Sequence, residues 1–432
     1  ELFLKASVTL DYDTQTSYVV TLGTGSVSAS HTLSITGVFQ PESKTQLGTA
    51  VDLWVSDKAT ALATYGEINT WDVSLITDMS NLFESKTTFN DDIGNWDVSN
   101  VTNMRRMFVG AHNFNQDLSS WDVSNVTTMK TMFGIAKLFN QDLSSWDVSK
   151  VTDMEEMFVH ADAFNQDLSN WDVSNVTNMY EMFYGADAFN GDITTWNVSK
   201  VLNLGAMFLS AKTFNQDIST KQVTVNGHSY TAWDVSNARS MDWLFDSADS
   251  FNQDISNWDV SSVTKMKYMF RSNDVFNQDI SNWDVSNVRE MDQMFKRSVF
   301  NQDISNWNIS SVTRMTDMLL DANALSNVNK GLIDTSFSSN ANWPYNDWSS
   351  FNEDPTAIEL TNTVTSLAED ADTSSATKMG DIVITDADGG TNAVSLSGTD
   401  AASFEVVGSE LFLKASVTLD YDTQTSYAVT LT

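Results

Sequence analysis

The residues best able to do chemistry recur at one step along the chain. Asp72, Asp97, Asp122, Asp147 and Asp172 stand 25 residues apart, and Asp234, Asp259 and Asp284 continue the series, with Asn197 and Asn308 in two of its places. If these carboxylates stack in register about 5 Å apart, each pair repels by about 0.8 kcal/mol in water and several-fold more near a protein surface. Three arrangements relieve that repulsion. Neighbouring Ser hydroxyls and turn N–H groups could hydrogen-bond each Asp, a strip of cations could bind there, or a Ser/Asn–Asp–Ser lattice could match ice or a crystalline polysaccharide. No aromatic alternates onto that face, which weighs against sugar stacking. Asp97, Asp122, Asp147, Asp172, Asp259 and Asp284 are the candidate ligand face. A second column (Asp92, Asp117, Asp142, Asp167, Asp192, Asp217, Asp254, Asp279 and Asp303) follows an Asn-Gln pair in most units and reads as Asx turns. The Asn residues of that loop are expected to ladder between units.

Catalysis lacks its parts. His31, His112, His160 and His228 form no column, and neither a Gly-rich phosphate loop nor H-E-x-x-H occurs. A repeating carboxylate column singles out no acid–base pair. The expectation is a protein that is not an enzyme. Asn100-Val-Thr102, Asn125-Val-Thr127 and Asn175-Val-Thr177 match the glycosylation sequon but are more simply the turn of the repeat.

Elements must hold these columns in register. Tryptophans fall at 71, 96, 121, 146, 171 and 196, then at 233, 258, 283 and 307. The step of 37 before Trp233 is one period plus an insertion, 221–232, and the last step is one residue short. In the unit 95–119, Trp96 and Val98 alternate with polar neighbours, predicting a short strand. Met104, Met107, Phe108 and Ala111 stand at i, i+3, i+4, i+7, predicting a short helix capped by Thr102 or Asn103. A unit this small cannot bury a face alone, so successive units must stack. The Trp, Val, Met and Phe columns then become interior ladders, with indole N–H groups donating to turn carbonyls. Helical spacing over Gln46–Trp54 and Leu325–Leu332 supplies caps. Within the insertion, Val223 and Val225 alternate around Thr224 before Asn226-Gly227, a hairpin signal and a candidate partner-binding protrusion.

Charge narrows the partners. The 432 residues carry 23 Lys+Arg against 57 Asp+Glu, a formal −34, so nucleic acid and anionic membrane are repelled and divalent cations attracted. There is no Cys, hence no disulfide or thiolate site, and no apolar run long enough to span a membrane. Residues 1–22 recur at 410–431 with one change, Val19 to Ala428. That duplication leads us to expect a segment of a longer tandem protein, whose secretion signal and anchor lie elsewhere.

The repeated W-D-V-S-x-V-T-x-M-x-x-M-F-x-x-A-x-x-F-N-Q-D-I-S resembles the BspA-like leucine-rich-repeat surface proteins of bacteria over about Pro41 to Phe351. The stretch Ile255-x-x-Trp258-x-Val260-x-x-Val263 looks like the leucine-rich pattern with substitutions. The resemblance implies surface location and adhesion, with no catalytic residues. The remainder is similar to bacterial cadherin-like domains through Leu367-Ala-Glu369, Asp386-Ala-Asp388-Gly and Leu419-Asp420-Tyr-Asp422, with Asn352-Glu-Asp354-Pro resembling the interdomain linker. That likeness implies Ca²⁺ held by Glu369, Asp420 and Asp422 in one half-site and by Asp386, Asp388, Asn352 and Asp354 in another, with Asp11 and Asp13 their counterparts in the first copy. Asp422 stands where the family has Glu, and the linker is abbreviated.

The expected architecture is therefore an α/β repeat solenoid, leucine-rich-repeat-like, of about ten 25-residue coils, followed by an all-β cadherin-like (Ig-type) sandwich. In segments, 1–22 would be the last two strands of a preceding cadherin-like domain, 23–40 a linker, and 41–70 an N-terminal cap. The solenoid would run over 71–324, its C-terminal cap over 325–351 and the cadherin-like domain over 352–432. The expected role is an extracellular structural or adhesive module of a tandem-repeat bacterial surface fibre, stiffened by Ca²⁺ and partnered by other copies of itself. The alternative is a surface receptor docking its ligand on the sheet face or the 221–232 hairpin.

Overall fold

The computed structural model describes residues 17–24, 27–34, 37–225, 227–345, 347–352, 357–386 and 394–431. Strands β1 (Ser17–Thr24) and β2 (Val27–Ser34) form an antiparallel hairpin. Helices α1 (Lys44–Ser56) and α2 (Lys58–Tyr65) follow, with Ser43 and Asp57 accepting the N-cap bonds. Helix α1 buries Leu47, Ala50, Val51 and Trp54, the four positions whose spacing predicted it. At the far end α3 (Asn327–Phe337) is capped by Ser326 and buries Ile333 and Phe337. No helix among the described residues is long and apolar enough to cross a membrane.

Between these helices the expected α/β, leucine-rich-repeat-like solenoid is overturned. Apart from one hairpin, β3 (Lys221–Val225) with β4 (His228–Ala232), the described residues of 71–324 form no helix and no strand. The Trp-Asp-Val stretch forms no strand. Pairing between units is instead a series of single parallel bridges, Asp78 to Asn103 to Thr128 and onward to Arg314. Where a helix was expected, the backbone makes consecutive tight turns. Met107 N–H reaches the Met104 carbonyl at 3.2 Å and Ala111 that of Phe108 at 3.0 Å. The intervening N–H groups of Met104, Arg106, Phe108 and Gly110 donate instead to Thr128, Lys130, Met132 and Gly134 of the next unit. This alternation requires left-handed residues: Arg106 at φ 57° and Gly110 at φ 68°, with Thr131 and Ile135 at the same places one unit on. Such a conformation costs a non-glycine residue about 1–2 kcal/mol, an expense offset by the inter-unit hydrogen bonds.

The reason a helix fails is dimensional. Phe108 and Phe133 lie 5.4 Å apart between ring centroids, and Trp121 and Trp146 lie 6.5 Å apart. Helices about 10 Å across cannot sit side by side at that pitch. The apolar stripe is satisfied without one, because tight turns also put Met104, Met107, Phe108 and Ala111 inside, each fully buried. One continuous core runs from Leu47 to Trp348. Each tryptophan of the repeat column from Trp96 to Trp307 donates its indole N–H to a carbonyl earlier along the stack, for example Trp146 to Leu118 at 3.0 Å.

The C-terminal region also departs from expectation. Strands β5 (Ala357–Thr361), β6 (Thr377–Thr385), β8 (Phe404–Val407) and β9 (Glu410–Leu413) form one antiparallel sheet in the order β5-β6-β9-β8. Opposite them stands only a two-residue pair, β7 (Leu396–Ser397) with β10 (Thr430–Leu431). Ile382, Phe404, Leu411 and Leu413 are the buried apolar residues there. The described residues therefore form one sheet with a fragment beside it, not two facing sheets of an Ig-type sandwich.

Candidate functional site

Turn chemistry absorbs both aspartate columns. Ser99, Ser124, Ser149, Ser174, Ser261 and Ser286 each donate a backbone N–H to the Asp two residues earlier (Asp97, Asp122, Asp147, Asp172, Asp259 and Asp284), at 3.0–3.1 Å. The second column does the same, Ser119 to Asp117 and Ser281 to Asp279 among them. These are Asx turns in register, and they use one oxygen of each carboxylate. Asparagines ladder beside them: Asn115 N–H to Asn90 Oδ1 at 2.8 Å, Asn140 to Asn115 at 2.9 Å, and so on to Asn301. Among the described residues no three acidic or histidine side chains converge in a way that could hold a metal.

Hydrogen bonding sets the acidity of several of these groups. The Ser124 and Ser286 side chains, then their backbone N–H groups, hold Asp122 and Asp284 below the usual carboxylate range. For Asp117 and Asp279 the backbone N–H of Ser119 and Ser281 is the larger cause. A carboxylate depressed in the folded state contributes stability that is complete above the unfolded value, near pH 4, and is lost as pH falls through the folded one. Thermal melts are therefore expected to hold their midpoint down to about pH 4 and lose it steadily toward pH 2. A midpoint as high at pH 2 as at pH 5 would remove the Asx columns as a source of stability.

The expected calcium ligands are only partly brought together. Glu369 accepts the Tyr421 N–H at 3.3 Å, so it lies against the loop holding Asp420 and Asp422. Asp420 Oδ1 is already engaged by the N–H groups of Asp422 at 3.0 Å and Thr423 at 3.3 Å. Asp386 follows the end of β6. Asn352 ends the 3₁₀ turn Trp348–Asn352. Asp11, Asp13, Asp354 and Asp388 lie outside the described residues. Calcium wants six to eight oxygens, and the described donors fall short of that set.

Two features escaped the sequence reading. A carboxylate, Asp246, is fully buried and paired with Arg271. Its column place holds Val109, Val159, Leu209 and Leu320 in some units and Glu84, Arg271 and Lys296 in others, so the sequence does not mark Asp246 as buried. The second is the way the hairpin β3–β4 folds back over the Trp-Asp-Val-Ser surface. Tyr230 Oη donates to the Thr195 carbonyl at 2.7 Å, and Val223 and Tyr230 pack against the core. A groove of about 250 Å³ remains beneath, bordered by Asp172, Asn197, His228 and Tyr230.

Comparison with known proteins gives one match. A family described as "Mycoplasma protein of unknown function, DUF285" aligns three times, over residues 54–165, 142–229 and 219–332. No curated protein and no solved structure matches the chain. The matched residues begin within α1, run through every tryptophan of the repeat and end within α3, covering well over half of the chain. This tandem-repeat chain belongs to the DUF285 family.

Proposed function

We propose that the chain is a structural or adhesive module of a long bacterial surface fibre, extracellular, BspA-like in character and without enzymatic activity. The observation that carries this reading is the unbroken inter-unit ladder. Stacked Phe rings from Phe83 to Phe295, indole-to-carbonyl bonds from Trp96 to Trp307 and the asparagine column from Asn90 to Asn301 all run along one direction. Such a stack spans distance at a constant cross-section and resists bending, because each unit is tied to both neighbours. The recurrence of residues 1–22 at 410–431 supports tandem use of the same parts. Partners on this reading are other copies of itself.

Calcium belongs to the proposal in the C-terminal region, on the closeness of Glu369 to the Asp420 loop. Electron microscopy of the full chain, with calcium and with chelator, tests both parts. Elongated particles that associate end to end are expected, together with a melting midpoint raised by calcium. Compact, strictly monomeric particles would overturn the fibre, and a midpoint indifferent to chelator would take calcium out of it.

A second reading, a surface receptor that binds a ligand at the hairpin, is favoured by the groove that β3–β4 closes over the repeat.

A further inference from the structure

The insertion 221–232 lies over the units of Trp171 and Trp196. In these units part of the Trp-Asp-Val-Ser face lies under the hairpin, and Trp196 is fully buried where Trp258, outside the groove, keeps 3 % exposure. At the aspartate-column place beneath the hairpin stands Asn197, half-buried, flanked along the column by Asp172 and Asp234. A third carboxylate there would meet both the roof and its neighbours, and an amide avoids the charge.

Polar groups around the groove are left with bonding capacity. Asp172 accepts the Ser174 N–H through Oδ1, and its second oxygen has no hydrogen bond among the described residues. Asn197 Oδ1 accepts from Ser199, while its Nδ2 donors are unused. The Asn170 amide and the His228 imidazole have no side-chain partner among the described residues. His228 stands on the hairpin with its cross-strand neighbour Val225 and the Tyr230 ring, whose hydroxyl is tied to Thr195, and the repeat supplies Asn170, Trp171, Asp172 and Asn197. The hairpin side thus joins an imidazole to an apolar surface, and the repeat side mixes an acceptor-only carboxylate with amide groups.

We propose that this groove binds a neutral, hydroxyl-rich ligand, one hexose unit of a glycan. Vicinal hydroxyls each need an acceptor and a donor, which Asp172, Asn170, Asn197 and His228 supply together. The C–H face of the ring lies against Val225 and Tyr230. An anionic ligand is disfavoured by Asp172 and by the chain's formal charge of −34. A calcium ion is disfavoured because one carboxylate with amides falls short of its oxygen count. The volume, about 250 Å³, lies below that of drug-sized pockets and suits a single ring. The inference rests on the receptor reading and is independent of the fibre, whose fate the microscopy decides separately.

Titration of the full chain with methyl glucoside, methyl mannoside, methyl galactoside and N-acetylglucosamine, followed by saturation-transfer NMR, tests it. At least one neutral sugar is expected to saturate at millimolar concentration. Deleting residues 221–232 restores the 25-residue step between tryptophans, so that variant should melt cooperatively and lose the binding. Asp172→Ala should weaken it by about ten-fold or more, the usual consequence of losing a charge-assisted hydrogen bond. Asp122→Ala, the same column place without a roof, should leave it unchanged. No saturation by any neutral sugar, preference for glucuronate, or binding that survives the deletion or Asp172→Ala would each overturn the proposal.

Discussion

Phe133→Ala is expected to destabilise the stack by about 3–5 kcal/mol, the usual cost of truncating a fully buried phenylalanine. The ring has no solvent exposure and sits 5.4 Å from Phe108, 4.0 Å from Phe139 and 5.6 Å from Phe158. Truncation therefore removes contacts within its own unit and to both neighbours. In a quasi-one-dimensional array the damage is local: stability is a sum of units and their interfaces, and a weak interface divides the array. The expected signature is faster amide exchange in residues 108–158, with distant units such as 258–307 protected as before. Leu138→Ala is the control, because Leu138 is 54 % exposed and should change the denaturant midpoint little. Equal effects from the two substitutions, or exchange that rises uniformly along the chain, would show that the aromatic ladder does not hold the units together.

Arg271→Ala should have a comparable effect through charge. Asp246 is fully buried, and Arg271 Nε and Nη2 reach its Oδ2 at 3.0 and 2.5 Å while the Ser247 hydroxyl donates to Oδ1 at 3.0 Å. Removing the guanidinium strands a carboxylate in the interior, a loss that costs about 3–5 kcal/mol. Asp246→Leu should cost much less, because leucine already fills the equivalent place as Leu209 and Leu320 and the released Arg271 is partly exposed to water. Burial raises the Asp246 carboxyl above the ordinary aspartate value, outweighing the lowering by Arg271. The folded state then holds its proton to higher pH than the unfolded state. Protonation at Asp246 favours folding fully below about pH 4, and that advantage is lost as pH rises through the raised folded value. The deficit of Arg271→Ala should accordingly be largest at pH 7 and shrink toward pH 4.5. A deficit of the same size at both would mean that lost packing, and not stranded charge, is responsible.

The aspartate columns show where sequence reading stops. Asp-x-Ser at a fixed step is enough to foresee an Asx turn, because the acceptor and its N–H donor are two residues apart. Asp246 and Arg271 are 25 residues apart and lie in different units, so only stacking reveals the pair. The hairpin itself was legible from its alternation and its Asn-Gly turn. Its fold-back onto Asn197 was not, since nothing local to 221–232 states which face it covers. Glu369 and Asp420 are 51 positions apart in the chain, and the loop that brings them together leaves the calcium donor set short.

Periodicity alone determined which side chains are interior. A 25-residue step in Trp, Val, Met and Phe leaves no way to bury them except against the next unit. Tertiary packing decided the backbone that delivers them. Spacings i, i+3, i+4, i+7 are met by an α-helix and equally by consecutive tight turns with left-handed residues between them. Units stacked 5–6.5 Å apart leave room for turns, whose N–H groups can point along the stack to the next unit, and no room for helices about 10 Å wide that keep those bonds to themselves.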